Sequence, residues 1–200
     1  YKRQSYILSY NPEVVNKMRV GGGSVKGRKL TPPVNRAARP TSSMVRSAVF
    51  NILRPEQVIG VDVVDFYAGC GSLGIEALSR GAASADFIDN SPDETEVIRR
   101  NLDHTGFIEK TRVLCTSVEK AMGVLNKTYG LVLMDPPYKL PTLDPILYRI
   151  ASASIVEESG IVVVGHSKRL ELSKQYGNLC HLKTRQYGDS KLSFFERGTS

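Results

Sequence analysis

The sequence predicts an α/β chain: a mostly parallel sheet with helices on both faces, ending in an antiparallel hairpin. Three observations predict it. Apolar runs of strand length alternate with helix-like stretches from residue 61 onward, a glycine-rich turn joins the first run to the first helix, and two strand-like stretches flank Gly188-Asp189 near the end. With 200 residues, 41% of them hydrophobic and 24% charged, the composition is that of a single folded domain with a small appendage. No apolar stretch approaches the ~18 residues of a membrane span. No charged-then-apolar leader opens the chain, so no export signal and no membrane association are expected. Cys70, Cys115 and Cys180 are odd in number and widely spaced, which excludes a disulfide framework and a Cys-x-x-Cys metal site and points to a reducing, cytoplasmic compartment.

Residues 1–17 are unassigned, an extension ahead of Met18, which could be a natural start. Residues 18–55 form a small basic segment. It is rich in Gly and Pro up to Pro40, and then Thr41 or Ser42 can cap a helix. Val45, Ala48, Val49, Ile52 and Leu53 give that helix one apolar face, and Pro55 stops it. The α/β domain spans 56–200. Strands are expected at 61–66, 85–88, 112–115, 131–134 and 161–165, with helices at 73–78, 92–103, 117–126 and 143–153 between them. Residues 179–185 and 192–195 make the final pair.

Charge is unevenly shared. Residues 1–60 hold 11 of the 27 Lys and Arg against Glu13 and Glu56 alone, so this part carries +9 of a net +7 and the remainder −2. Such asymmetry is the footprint of a polyanion partner, nucleic acid above all, with a solvated basic surface as the plainer reading. Lys26, Arg28, Lys29, Arg36, Arg39 and Arg46 are the candidate contacts; Arg46 lies next to the apolar stripe of its helix and could instead be structural.

Asp65-Phe66-Tyr67-Ala68-Gly69-Cys70-Gly71-Ser72-Leu73-Gly74 ends the first strand and opens a helix. Gly69, Gly71 and Gly74 spell G-x-G-x-x-G, a turn whose backbone a ligand can approach closely. Asp89 closes the second strand, where a carboxylate can accept from both hydroxyls of a ribose. An adenosine-containing cofactor follows, either a dinucleotide or S-adenosylmethionine. The cationic sulfonium and amino group of the latter favour a nearby carboxylate, which Asp65 can provide directly or through water; its plainer role is to bond the loop's own amides, and the two roles can coexist.

Leu131-Val132-Leu133-Met134 runs into Asp135-Pro136-Pro137-Tyr138. The two prolines fix the backbone and remove two donors, leaving the Asp135 and Pro136 carbonyls as rigid acceptors. Such acceptors suit an exocyclic amine, whose lone pair is delocalised into a base ring. Hydrogen bonds to Asp135 and the Pro136 carbonyl would favour its pyramidal, attacking form. The Tyr138 ring offers a face for an unstacked base.

Together, the glycine loop, the acidic strand end and the Asp-Pro-Pro-Tyr tetrad resemble the class I (Rossmann-like) S-adenosylmethionine-dependent amino-methyltransferases. Arg19-Val20-Gly21-Gly22-Gly23, Lys26-Gly27-Arg28-Lys29-Leu30, Arg39-Pro40-Thr41 with Arg46, and Phe50-Asn51-Ile52-Leu53 narrow the resemblance to the RsmD family, over residues 18–197. The resemblance implies methylation of a guanine N2 amine in bacterial 16S ribosomal RNA, with the RNA or the small-subunit particle as partner. It departs from the family at Ser117, where an acidic residue often stands near the adenine amine. Adenine-N6 methylation of DNA, and a non-catalytic RNA-binding protein of the same fold, are the alternatives. His104, His166 and His181 are scattered singly, so no metal site is expected, and the chain is expected to be a monomer.

Overall fold

The computed structural model describes residues 18–34, 42–137 and 140–198. Arg36, Arg39 and Tyr138, all named above as candidate contacts, lie outside them. Its centre is an eight-stranded sheet in the order β3-β2-β1-β4-β5-β8-β7-β6. β1 (Asp62–Phe66), β2 (Ser84–Asp89), β3 (Thr111–Cys115), β4 (Tyr129–Met134) and β5 (Val156–Ser167) pair in parallel. β6 (Gln175–Tyr176), β7 (Leu179–Tyr187) and β8 (Ser190–Arg197) extend the sheet antiparallel from β5. This is the predicted class, with the predicted closing hairpin.

Side chains alternate across the parallel strands and build two cores. Val63, Leu131, Leu133, Ile161 and Val163 face a layer formed by α1 (Ser43–Ile52), α2 (Ser72–Ser79) and α3 (Pro92–Thr105). Val64, Phe66, Val132, Met134 and Val164 face α4 (Val118–Ala121) and α5 (Asp144–Ser152). α1 begins where the Ser42 hydroxyl accepts from the Val45 N–H, and Val45, Ala48 and Val49 are buried as their spacing requires. In α3, Pro92 occupies the first turn, and Gly106 in the left-handed conformation caps the end.

Three elements differ from the sequence expectation. The helix expected over 117–126 is a single turn, after which Gly123, Val124 and Leu125 donate only to carbonyls of Lys120 and Ala121, so the apolar spacing continues on tight turns. The strand expected at 161–165 runs from Val156 to Ser167, with a register shift opposite Tyr129 and Leu131 that takes in the polar stretch Glu157–Gly160. The two-residue strand β6 was not anticipated; its Tyr176 is fully buried and donates a hydrogen bond to Asp144 at 2.5 Å.

The N-terminal segment is a small hairpin lying on α2. Leu30 N–H donates to Met18 O and Val20 N–H to Arg28 O, while Val20 and Leu30 join the first core. Ser24 N–H donates to Ser79 O and Gly21 N–H to the Glu76 carboxylate at 2.7 Å. The tip of the hairpin therefore rests at the C-terminal end of α2, and its base beside the N-terminal end.

Candidate functional site

Strand order decides where a ligand can sit. After β1 the chain moves outward to β2 and β3; it then returns across β1 to β4 and β5. Between β1 and β4 the crossovers diverge, and the carboxyl ends of these strands border the crevice that such sheets use for ligands. The glycine loop leaves β1 there and Asp135-Pro136-Pro137 leaves β4, with Phe66 opposite Met134 in register. The structure thus brings both predicted motifs to one crevice.

The loop turns because its backbone departs from the usual regions. Gly71 has φ 78° and forms the N-terminal boundary of α2; a side chain there would be strained and would press on Phe87 and Ile98. Gly74 lies within α2, and a Cβ on it would stand 2.4 Å from the Phe87 ring. The third glycine therefore serves helix–sheet packing. Tyr67, between β1 and the loop, has φ 58°, an uncommon conformation for a bulky side chain and of the strained kind found at ligand sites. Burial, reinforced by Glu119, pushes its phenol up to about 12.

Asp65 is 1% exposed and accepts from the Gly74 N–H at 2.9 Å. It bonds one of the loop's own amides, the plainer of the two roles its sequence position allowed. Burial pushes its carboxyl well above the usual range; the Gly74 N–H opposes this, and the charges of Asp135 and Asp89 push it further up. Three carboxyl groups from three adjacent strands thus lie within electrostatic reach of one another, although the chain as a whole is basic. A cation with its own hydrogen-bond donors fits this crevice, whereas a pyrophosphate would meet repulsion. Asp89 accepts from Gly69 N–H at 2.8 Å through one oxygen and from Ser91 N–H at 2.9 Å through the other. It is only partly buried, so lone pairs remain for a ligand's hydroxyls. Ser117 caps α4, accepting from Lys120 N–H at 3.4 Å.

Asp135 sits against β5. A Cβ on Gly165 would stand 2.4 Å from its Oδ1, so the carboxylate occupies the space that any side chain at 165 would take. Pro136 and Pro137 share a narrow cleft with Leu140, Leu143, His166 and Ser167. His166 is buried, with Nε2 2.9 Å from Ser193 Oγ and Nδ1 3.1 Å from the Ser167 carbonyl, and burial lowers its pKa. It is a satisfied core histidine. No group of metal-ligating side chains occurs among the described residues. A separate cleft of about 410 Å³ between α4 and α5, lined by Met122, Tyr148 and Arg149 among others, contains none of the predicted site residues.

The basic segment is only partly as expected. Arg46 is a correction: it is 2% exposed, its Nε lies 3.5 Å from Glu76 and its guanidinium donates to Arg19 O at 2.6 Å. A buried guanidinium already paired with a carboxylate ties α1 to α2 and the hairpin and presents no surface to a polyanion. Lys26, Arg28 and Lys29 are exposed on the hairpin, where Arg28 donates to His104 O. The sequence reading missed Tyr67, Gly165 and Asn101. Asn101 had a visible signal, an amide on the apolar stripe of α3 with Val97, Ile98 and Leu102.

The parallel sheet with its antiparallel end, the glycine loop after β1 and the Asp-Pro-Pro turn after β4 define a class I methyltransferase fold. The family described as "Conserved hypothetical protein 95" matches residues 18–196, and the chain belongs to that family, the one to which its RsmD-like motifs pointed. "Putative rRNA methyltransferase YlbH" of Bacillus subtilis is 31% identical over 183 residues, covering 90% of this chain and 99% of that protein. "Ribosomal RNA small subunit methyltransferase D" of Escherichia coli K12 is 29% identical over 148 residues, covering 74% of each chain. The solved structure "Putative methyltransferase yhhF from Escherichia coli" superposes with a TM-score of 0.81 at 26% identity, covering 92% of this chain and 99% of that one.

Proposed function

We propose that the protein transfers a methyl group from S-adenosylmethionine to the exocyclic N2 amine of a guanine in 16S ribosomal RNA. The carrying observation is the β1–β4 crevice, where a glycine loop and a rigid Asp-Pro-Pro acceptor turn face the same space among three carboxyl groups. Relatives named for ribosomal RNA methylation, spanning most of this chain, support the substrate class. S-adenosylmethionine, when bound, supplies an electrophilic methyl group on a sulfonium.

The chain's own residues do the rest. The Gly69–Gly74 turn gives the cofactor close backbone approach, Asp89 accepts from its ribose hydroxyls, and the Ser117 hydroxyl accepts from its adenine amine. Asp65 holds the loop through Gly74. The Asp135 carboxylate and the Pro136 carbonyl accept from the two N–H bonds of the target amine. That draws its lone pair out of the ring and aims it into the crevice. The Tyr138 ring stacks on the guanine, which must be unpaired or flipped because a paired N2 is already engaged. Once the amine is methylated, its proton leaves to Asp135 or to water. Lys26, Arg28, Lys29, Arg36 and Arg39 grip RNA phosphates.

The test is transfer of a tritiated methyl group to ribosomal particles, free ribosomal RNA and DNA, followed by nucleoside analysis. N2-methylguanine in RNA is the expected product; N6-methyladenine in DNA would move the protein to the rival substrate. Asp135→Ala should lower single-turnover transfer by about 100-fold, the scale of a lost electrostatic contact. Full activity in that variant would refute the assigned role.

A further inference from the structure

We infer that Asn101 is a positioning residue for the glycine loop, and that through it cofactor binding and the ordering of residues 18–31 reinforce one another. The inference rests on the reading that the cofactor binds at that loop. Asn101 is 1% exposed and lies on the apolar stripe of α3. Its Nδ2 donates to Cys70 O at 2.9 Å, inside the loop, and to Thr31 O at 2.9 Å, at the base of the basic hairpin. Its Oδ1 accepts from Thr31 N–H at 2.8 Å. The two amide hydrogens thus serve two different segments, and the oxygen serves one of them.

This geometry is all-or-none. Turning the amide over would set its oxygen against two carbonyls and leave the Thr31 N–H facing a donor. If the hairpin base opens, Oδ1 and one N–H lose their partners, and the amide that Thr31 held in one orientation is free to turn away from Cys70. Cys70 stands between Gly69 and Gly71, both at positive φ, so its carbonyl is the fixed point of the turn. Two further contacts join the same parts: Cys70 Sγ lies 3.5 Å from Met18 Sδ, and Glu76 of α2 holds the Gly21 N–H. Linkage is reciprocal, so a ligand that holds the loop must also hold the hairpin, and the reverse. The RNA-facing segment and the cofactor loop therefore act as one body.

The experiment is hydrogen exchange on the full chain with S-adenosylhomocysteine as probe. In the wild-type protein the ligand should slow exchange of the Thr31 and Leu30 amides at least threefold, although neither belongs to the loop. Asn101→Asp keeps an acceptor for Thr31 N–H but places an oxygen against both carbonyls. It should loosen the ligand about tenfold, the scale of a lost buried hydrogen bond, and abolish the transfer of protection. A variant that melts lower yet keeps both the affinity and the transfer would show a merely structural role and overturn the inference. Unchanged Thr31 exchange in a wild-type protein that binds the ligand would overturn it as well, and this arm decides the matter if the variant fails to fold. Failure of the wild-type protein to bind the ligand at all would instead bring down the cofactor reading, and the coupling with it.

Discussion

Gly165→Ala should disable the enzyme without touching its cofactor site. Gly165 lies in β5, next to the end of β4, and a Cβ placed on it would stand 2.4 Å from Asp135 Oδ1. Ordinary Cβ contacts begin near 3.4 Å, so the carboxylate must retreat by about 1 Å. A displacement of that size at a group that orients a reacting amine costs about 100-fold in rate. The predicted signature is single-turnover methyl transfer slowed by about two orders of magnitude at saturating cofactor, with S-adenosylhomocysteine affinity by calorimetry unchanged. Gly123→Ala is the control, because its Cβ would meet only the Lys120 carbonyl, at 3.5 Å. Wild-type turnover in Gly165→Ala would mean that the Asp135 carboxylate need not stand where the structure puts it, and the argument for its role would fail.

Asp89→Ala removes the acceptor of Gly69 N–H and Ser91 N–H together with the ribose contact, and should weaken S-adenosylhomocysteine binding by about 1.5–3 kcal/mol, read by calorimetry; unchanged affinity would take Asp89 out of the site. Because the Asp65 carboxyl is raised, the folded chain binds that proton more tightly than the unfolded chain does. Its contribution to stability is therefore lost as pH climbs from the ordinary carboxylate range through the raised value. Asp65→Asn should flatten that fall in urea titrations at several pH values, and a steeper fall in the variant would contradict the assignment. Reversing the charges of Lys26, Arg28 and Lys29 together should weaken RNA binding and reduce the slope of log affinity against log salt by about 2–3. An unaltered slope would make this surface a solvated face.

Most of what was legible in the chain is local in sequence. The glycine loop and the Asp-Pro-Pro turn are contiguous strings whose backbone requirements travel with them, and the alternation of apolar runs placed them at the ends of β1 and β4. The parts that escaped depend on contacts between distant segments. Gly165 matters only because the β4–β5 register sets it beside Asp135. Asn101 joins Thr31 to Cys70, residues 39 positions apart in the chain, and nothing in either neighbourhood shows the meeting. Arg46 was misassigned for the same reason: its partner Glu76 lies 30 residues away, and a basic residue beside an apolar stripe looks alike whether a carboxylate or water awaits it.

The two borders of the sheet carry a consequence of their own. β3 closes one side, and on the other β6 covers only the first two residues of β7, so that from Lys183 to Tyr187 no further strand pairs with β7 among the described residues. Open ladders of this kind invite a second molecule to add its own strand and start a fibre or a precipitate. Here the open end of β7 carries positive charge, Lys183 and Arg185, whereas Arg112 on β3 is paired with Asp86 at 2.9 Å. Two copies approaching through this end of β7 would bring like charges together. Lys183 and Arg185 thus oppose the pairing of two copies through β7, and that opposition weakens as salt rises.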